Sequence, residues 1–244
     1  MKTGIAVGDI HYPYENKKAI KILFDIAKDV DPDYFIGIGD FLDMNMISVY
    51  SNNKPRRIEN QTLHKDYEGF QKNILDPLEN ILKPDCKKVF IYGNHEDRIN
   101  NYLDYYPTVR GVIEPENNLE LSDWKIIPYR QHYKLGNTIF THGIYHNQFH
   151  AKKHLDTYGC NIIYGHLHTH QVYTRQTPVD NDPITSMSLP CMCNLNPHYA
   201  KDLPNKWENG FLVFYKDGKY QYNNVISIKG KSQPKTYFNG VLYG

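Results

Sequence analysis

The chain has 244 residues, 40% of them hydrophobic, and a formal net charge of +1. That is enough for one sizeable α/β domain with a packed core, and it forces no polyelectrolyte partner. No apolar run is long enough to span a membrane, and Met1-Lys-Thr-Gly4 enters a strand without a signal-peptide profile, so a cytoplasmic location with no membrane partner is expected.

Residues 3 to 9 read as a first strand, with His11-Tyr-Pro-Tyr14 looping over its end. Between Asn16 and Val30, Ile20, Leu23, Phe24 and Ala27 form a helical stripe, which Asp31-Pro-Asp33 stops. A second strand over 34–38 ends in Gly39-Asp40-Phe-Leu-Asp43, so the start is a βαβ unit of a parallel sheet. The stretch 44–61 has no clean period; it is either a solvated loop or a flap bringing Arg56 or Arg57 to a substrate. A helix is expected over 63–82, then a strand into Gly93-Asn94-His95-Glu96, then a helix over 97–106. Short strands follow at 124–127 and 132–135, the latter joined to 137–140 across the Gly136-Asn137 turn. A helix over 144–158, stopped by Gly159, precedes strand 161–164 and Gly165-His166-Leu-His168. The remainder alternates like antiparallel strands at 171–175, 184–189, 210–215 and 220–228, and the 21 tyrosines suit such pleated surfaces. With no repeat, low-complexity tract or linker, residues 1–244 read as one domain. Cys86 and Cys160 resemble small buried hydrophobes, and Cys191-Met-Cys193 is a poor structural-zinc spacing, so reduced thiols are expected.

Five of the apolar runs stop in Gly, Asp, Asn or His, and in open α/β sheets ligands collect where strands hand over to loops. The residues delivered to that one sheet edge are Asp9, His11, Asp40, Asn94, His142, His166 and His168. One divalent ion takes at most about six ligands, so seven groups suit two ions that share a bridge. Only a carboxylate has two oxygens to span them, and Asp40, central among the motifs, is the best placed. Two ions about 3.5–4 Å apart activate a bridging water and clamp phosphate oxygens, which suits phosphoryl chemistry. His95, beside Asn94 but pointing differently, fits a general acid that protonates the leaving oxygen. Glu96 either orients His95 or caps the following helix. A single His or Asp at a strand end is ordinarily just a turn residue; five such ends in order are not.

Asp9-Ile-His11, Gly39-Asp40-Phe-Leu-Asp43, Gly93-Asn94-His95-Glu96, His142-Gly143 and Gly165-His166-Leu-His168 together resemble the signature blocks of the calcineurin-like metallophosphoesterase superfamily. The resemblance implies a four-layer αββα sandwich of two mixed β-sheets with a dinuclear site at the sheet edges. It also implies that Asp9, His11, Asp40 and His168 hold one ion, that Asp40, Asn94, His142 and His166 hold the other, and that His95 is the proton donor. Two branches of the superfamily fit less well. Met44 stands where the Ser/Thr protein phosphatases carry Arg, and the metal-binding Tyr of purple acid phosphatases is missing. The stretches Cys191–Tyr199 and Trp207–Phe211 are similar to small phosphoesterases of bacteriophages and prophages.

Around the site, Asp43 either hydrogen-bonds a ligand histidine or caps the next turn, and Arg98 either meets a phosphate oxygen or pairs on a helix surface. His146, His150 and His154 are spaced as one polar helix face, with His146 alone near enough to the fourth block to touch substrate. His170 is expected to point away from the metals, and Tyr12 and His198 are rim candidates. The expected cofactors are two divalent ions, manganese first, with iron, zinc or nickel as alternatives. The expected reaction is hydrolysis of a phosphodiester (a nucleotide, cyclic nucleotide or nucleic acid) by attack of a metal-bridging hydroxide. The alternatives are a phosphomonoesterase acting on nucleotides or phosphoproteins, and a metal-binding scaffold without turnover.

Overall fold

The computed structural model describes every residue except 50, 52–57, 180–181 and 198–204, so Arg56, Arg57 and His198 lie outside the described residues. The chain starts with β1 (Lys2–Val7), α1 (Lys17–Val30) and β2 (Tyr34–Gly37). The Asn16 side chain accepts from Ala19 N–H and caps α1, whose face of Ala19, Ile20, Leu23, Ile26 and Ala27 is buried. Next come α2 (Leu63–Phe70), a π-helical turn over Gln71–Leu75, α3 (Asp76–Ile81) and β3 (Lys87–Ile91). The single helix expected over 63–82 is therefore broken by a wide turn, a change in hydrogen bonding that apolar spacing does not report. Then follow α4 (Arg98–Tyr105), α5 (Pro115–Asn118), β4 (Trp124–Ile127), β5 (Tyr133–Leu135) and β6 (Thr138–Thr141). The chain continues through α6 (His150–Tyr158), β7 (Asn161–Tyr164), β8 (Gln171–Arg175), β9 (Ile184–Ser188), β10 (Asn209–Asp217) and β11 (Tyr220–Ile228). It closes with a hairpin of β12 (Thr236–Phe238) and β13 (Val241–Tyr243), too short to show a period in the sequence.

Two mixed sheets result. One has the order β11-β10-β1-β2-β3-β4, with β1 to β4 parallel and β10 antiparallel to β1. The other has the order β5-β6-β7-β9-β8, with β6, β7 and β9 parallel. Alternation along the strands separates the layers. Ala6, Ile36, Val89, Phe140, Ile163, Leu212 and Phe214 meet between the sheets. Ile5, Val7, Phe35 and Phe90 face the other way, into α1, α2 and α3. Ile139, Ile162 and Tyr164 point outward from the second sheet, the side on which α6 packs across β7, β8 and β9. The fold is a four-layer α/β sandwich. Among the described residues no helix is long and apolar enough to cross a membrane.

The five motif-bearing strands do not share one sheet. β1, β2 and β3 adjoin in the first, β6 and β7 adjoin in the second, and their C-terminal ends face each other across the sandwich. The segment after β6 departs from expectation, because α6 starts at His150 and residues 144–149 are not helical. The cause is His154, which is fully buried. Its Nδ1–H donates to His150 O (2.8 Å), and its Nε2 accepts the Ile144 N–H (3.1 Å). That bond ties the turn after His142 to α6. Nor do His146, His150 and His154 form a polar face: His150 and His154 are interior, and only His146 is exposed.

Burial pushes the His154 pKa down to about 4 from 6.5. Its native state therefore stays neutral while the unfolded chain gains a proton, and stability present above pH 6.5 is lost as pH falls towards 4, by up to about 3 kcal/mol. His154→Gln cannot take that proton, so denaturant unfolding across this range is expected to give a flatter stability profile for the variant than for wild type.

Candidate metal centre

The side chains at the facing strand ends form two adjoining donor groups. Asp9, His11 and His168 make one, Asp40, His142 and His166 the other, with the ligand atoms of each group within 4.8 Å of one another. Asp40 Oδ2 lies between them, 3.7 Å from His11 Nε2 and 3.2 Å from His142 Nε2. Asn94 Oδ1 joins the second group, 3.0 Å from His142 Nε2. All seven residues named from the sequence thus converge at this edge, and Asp9, His11, Asp40, His142 and His168 are buried.

Holding so many polar groups together distorts the backbone. Of the ten non-glycine residues with positive φ among those described, five are Asp9, His11, Asp40, His166 and His168. Left-handed backbone is unfavourable for such side chains and persists where the surroundings over-determine it. The glycines before the polar residues act partly through space. A Cβ at Gly93 would collide with the Asp40 carboxylate, and one at Gly165 with that of Asp9. Backbone donors complete the cage. His95 N–H donates to Asp40 Oδ1 (2.9 Å), and His166 N–H to the Asp9 carboxylate (2.9 and 3.0 Å).

The hydrogen bonds behind the ring fix which imidazole nitrogens face the centre. His142 Nδ1–H donates to Ile38 O (2.9 Å), and His11 Nδ1–H donates to Asp43 Oδ1 (3.1 Å). In its neutral form each is left with a lone pair on Nε2, pointing at other acceptors. His142 Nε2 faces Asn94 Oδ1, Asp40 Oδ2 and, at 3.1 Å, His166 Nδ1; His11 Nε2 lies 3.1 Å from His168 Nε2. Acceptors at such distances repel unless a cation or a proton stands among them. The electrostatics of the site make the same demand. Burial disfavours a charged His142, yet the Asp40 carboxylate outweighs it and pushes the pKa up to about 9. Burial likewise opposes charge on His168, and Cys191 and Asp9 overcome it, again to about 9. A buried set of imidazole nitrogens, carboxylates and one amide oxygen fits divalent ions of mixed N/O preference.

Asp43 does more than cap a turn. Its carboxylate takes His11 Nδ1–H and also lies 3.2 Å from His95 Nδ1, while its carbonyl is 2.8 Å from the same nitrogen. His95 is thereby turned with Nε2 towards the centre, 3.8 Å from Asp40 Oδ2. Arg98 donates to Asp43 O (2.6 Å) and to His95 Nε2 (3.1 Å), so it stands at the site rather than in a helix-surface pair. His146 Nδ1 lies 3.0 Å from His166 Nε2 on the open side.

Tyr12 is not at the rim. Its ring packs on Phe70, and its hydroxyl accepts from Asn73 Nδ2 (3.1 Å), because the turn after β1 directs it under α2. Nor does Glu96 cap a helix or orient His95. Its buried carboxylate accepts three backbone N–H groups, from Gly93 (2.8 Å), Asp40 (3.0 Å) and Leu42 (2.9 Å), and so ties the turns after β2 and β3 together. His170 donates to Ser188 O and plays no part in the cluster. Trp207 was not foreseen; its indole meets the His168 ring edge-on, centroids 4.3 Å apart.

Residues 5–170 match the calcineurin-like phosphoesterase family, more than half of the chain. The chain belongs to that family. It is similar over 241 residues to the Gene 54 proteins of Mycobacterium phages L5 and D29, at 23% identity and 93% coverage of both chains in each case. Among solved structures it resembles Vps29 of Chaetomium thermophilum, with a TM-score of 0.53, 10% identity, and coverage of 100% of this chain and 98% of that one. At that identity the likeness concerns the fold.

Glu96→Gln would set an amide N–H against the backbone donors that the carboxylate now accepts. The variant is expected to lose about 2–3 kcal/mol of stability in denaturant unfolding and to bind metal more weakly in chelator competition.

Proposed function

We propose that the chain is a dinuclear metal-dependent phosphodiesterase, one domain over residues 1–244, acting on a nucleotide, cyclic nucleotide or nucleic acid. The observation that carries the reading is the position of Asp40 Oδ2, between two donor groups whose lone pairs converge. Asp9, His11, Asp40 and His168 would hold one ion, and Asp40, Asn94, His142 and His166 the other. When bound, such ions supply a water of lowered pKa and neutralise the charge gathering on phosphate oxygens. Manganese is the first expectation, with iron, zinc or nickel compatible with the same donors.

The protein's own groups do the rest. Asp43 accepts from His95 Nδ1 and fixes the ring, leaving Nε2 to carry the proton that the leaving oxygen takes. Burial opposes protonation of His95, but Asp40 and the Asp43 hydrogen bond raise its pKa above the ordinary value. Arg98 now donates to that same Nε2. A phosphate oxygen that draws the guanidinium to itself frees the nitrogen for its proton, which gives Arg98 a substrate-binding role. His146, exposed beside His166, offers a second polar contact on the open side. The diester preference rests on charge. Met44 is buried in the core and adds no cation beyond Asp43, and a diester carries one negative charge fewer than a dianionic monoester.

His95→Ala is expected to keep its metal content and lose about 10²–10⁴-fold in turnover on substrates with poor leaving groups, with a smaller loss on p-nitrophenyl esters. Asp40→Asn is expected to lose metal and activity together. Wild-type turnover of a poor-leaving-group ester by His95→Ala would remove the acid from His95. With manganese added back after chelation, bis(p-nitrophenyl) phosphate is expected to be hydrolysed faster than p-nitrophenyl phosphate; the reverse order would assign a monoesterase.

A further inference from the structure

His168 turns Nε2 towards the centre, 3.2 Å from Asp9 Oδ1, and its other nitrogen faces a pair of thiols. Cys193 Sγ lies 3.9 Å from His168 Nδ1. The sulfurs of Cys191 and Cys193 and an imidazole nitrogen of His168 all lie within 4.8 Å of one another, and all three residues are buried. A metal-bound histidine ordinarily hands its second N–H to a carboxylate or carbonyl. Here it meets sulfur.

The thiols are held in place rather than loosely packed. Cys191 and Cys193 each form an isolated β-bridge, to Asn209 and Glu15, on either side of a bend at Met192, which is fully buried in the core. Asn209 Nδ2 donates to the carbonyls of Cys191 (3.2 Å) and Cys193 (2.8 Å). Cys191 N–H donates to Glu208 O (2.9 Å), and Met192 N–H to Asp9 O (3.1 Å), so the segment is bonded directly to the first metal-facing turn. Bonds of about 2.3 Å to sulfur and 2.0–2.1 Å to nitrogen place the two donors about 3.6 Å apart at a tetrahedral angle and about 3.8 Å at a trigonal one. The observed 3.9 Å is slightly wider, a fit for a soft ion somewhat larger than zinc. Two sulfurs and one imidazole nitrogen favour zinc, copper(I) or cadmium over manganese.

We propose that Cys191, Cys193 and Nδ1 of His168 form a soft-metal site, distinct from the phosphoesterase centre and sharing one imidazole with it. Binding leaves both sulfurs as metal-bound thiolates and His168 neutral with its remaining proton on Nε2; relative to two thiols and a neutral imidazole it releases two protons, and no electron moves. A neutral imidazole has one lone pair. Metal on both nitrogens of His168 therefore requires loss of a third proton, and each site weakens the other. Soft ions then antagonise the phosphoesterase centre from behind. That coupling rests on the function proposed above, whereas the binding itself does not.

The test uses the full chain, stripped with a chelator under reducing conditions and titrated with cadmium alone, read by the ultraviolet thiolate-to-cadmium charge-transfer band. The expected result is a band saturating at one thiol-bound ion per chain. It should be retained in Asp40→Asn, which damages only the phosphoesterase centre, and weakened at least tenfold in affinity in Cys191→Ser and in Cys193→Ser. A wild-type protein without the band overturns the proposal whatever the variants do, and means that the pair are simply small reduced side chains. A band of equal strength in both serine variants also overturns it, by moving the ion to Cys86 or Cys160. Manganese-loaded protein reads the coupling separately: cadmium should release manganese from wild type at lower concentration than from Cys193→Ser, and equal release would leave two uncoupled sites.

Discussion

Acceptors crowded against acceptors are the constraint on which this structure depends. At the facing strand ends, imidazole nitrogens, carboxylate oxygens and an amide oxygen converge at about 3 Å, in a largely buried place. Left to itself such an arrangement would fly open. It persists because the surrounding fold pins each member from behind: Ile38 O on His142, Asp43 on His11, backbone N–H groups on Asp9 and Asp40. What the site lacks is positive charge, and the raised pKa values of His142 and His168 show how strongly it draws it.

The scaffold accounts for the precision. Two sheets with hydrophobic contact between them bring strand ends from residues 7 to 164 to a common edge, so groups far apart in sequence meet without a long loop. The left-handed turns that follow the strands are the local cost of aiming several side chains at one volume. Glu96 offsets part of that cost by accepting N–H groups from two of the turns. His154 does a comparable job on the opposite side, holding the turn after His142 against α6. Both residues are buried groups whose hydrogen bonds tie down the backbone around the donor cluster.

Much of this was legible in the sequence. Apolar runs ending in Gly-Asp, Gly-Asn-His and Gly-His-x-His carry two signals at once, a buried strand and a polar payload at its end, and so the seven side chains that converge, with His95 beside them, are readable from them. The break at Gln71–Leu75 and the late start of α6 could not, because each depends on a hydrogen bond made or diverted by tertiary contacts. Tyr12 was misplaced for a related reason: a residue in a motif loop points towards or away from the site according to backbone torsions that spacing does not reveal. The role of Glu96 is hidden from the sequence because its partners are main-chain N–H groups, which leave no mark there. The thiol pair gave the weakest signal of all, since Cys-x-Cys gains its third donor only when His168 folds against it.

The central claim is that two cations belong among these acceptors. Crystals of the protein grown with manganese, measured on both sides of the manganese absorption edge, test it most directly. Two anomalous peaks are expected flanking Asp40 Oδ2, one beside Asp9, His11 and His168 and the other beside Asn94, His142 and His166. A map with no peak at this edge, or with the imidazoles turned away from one another, would contradict it.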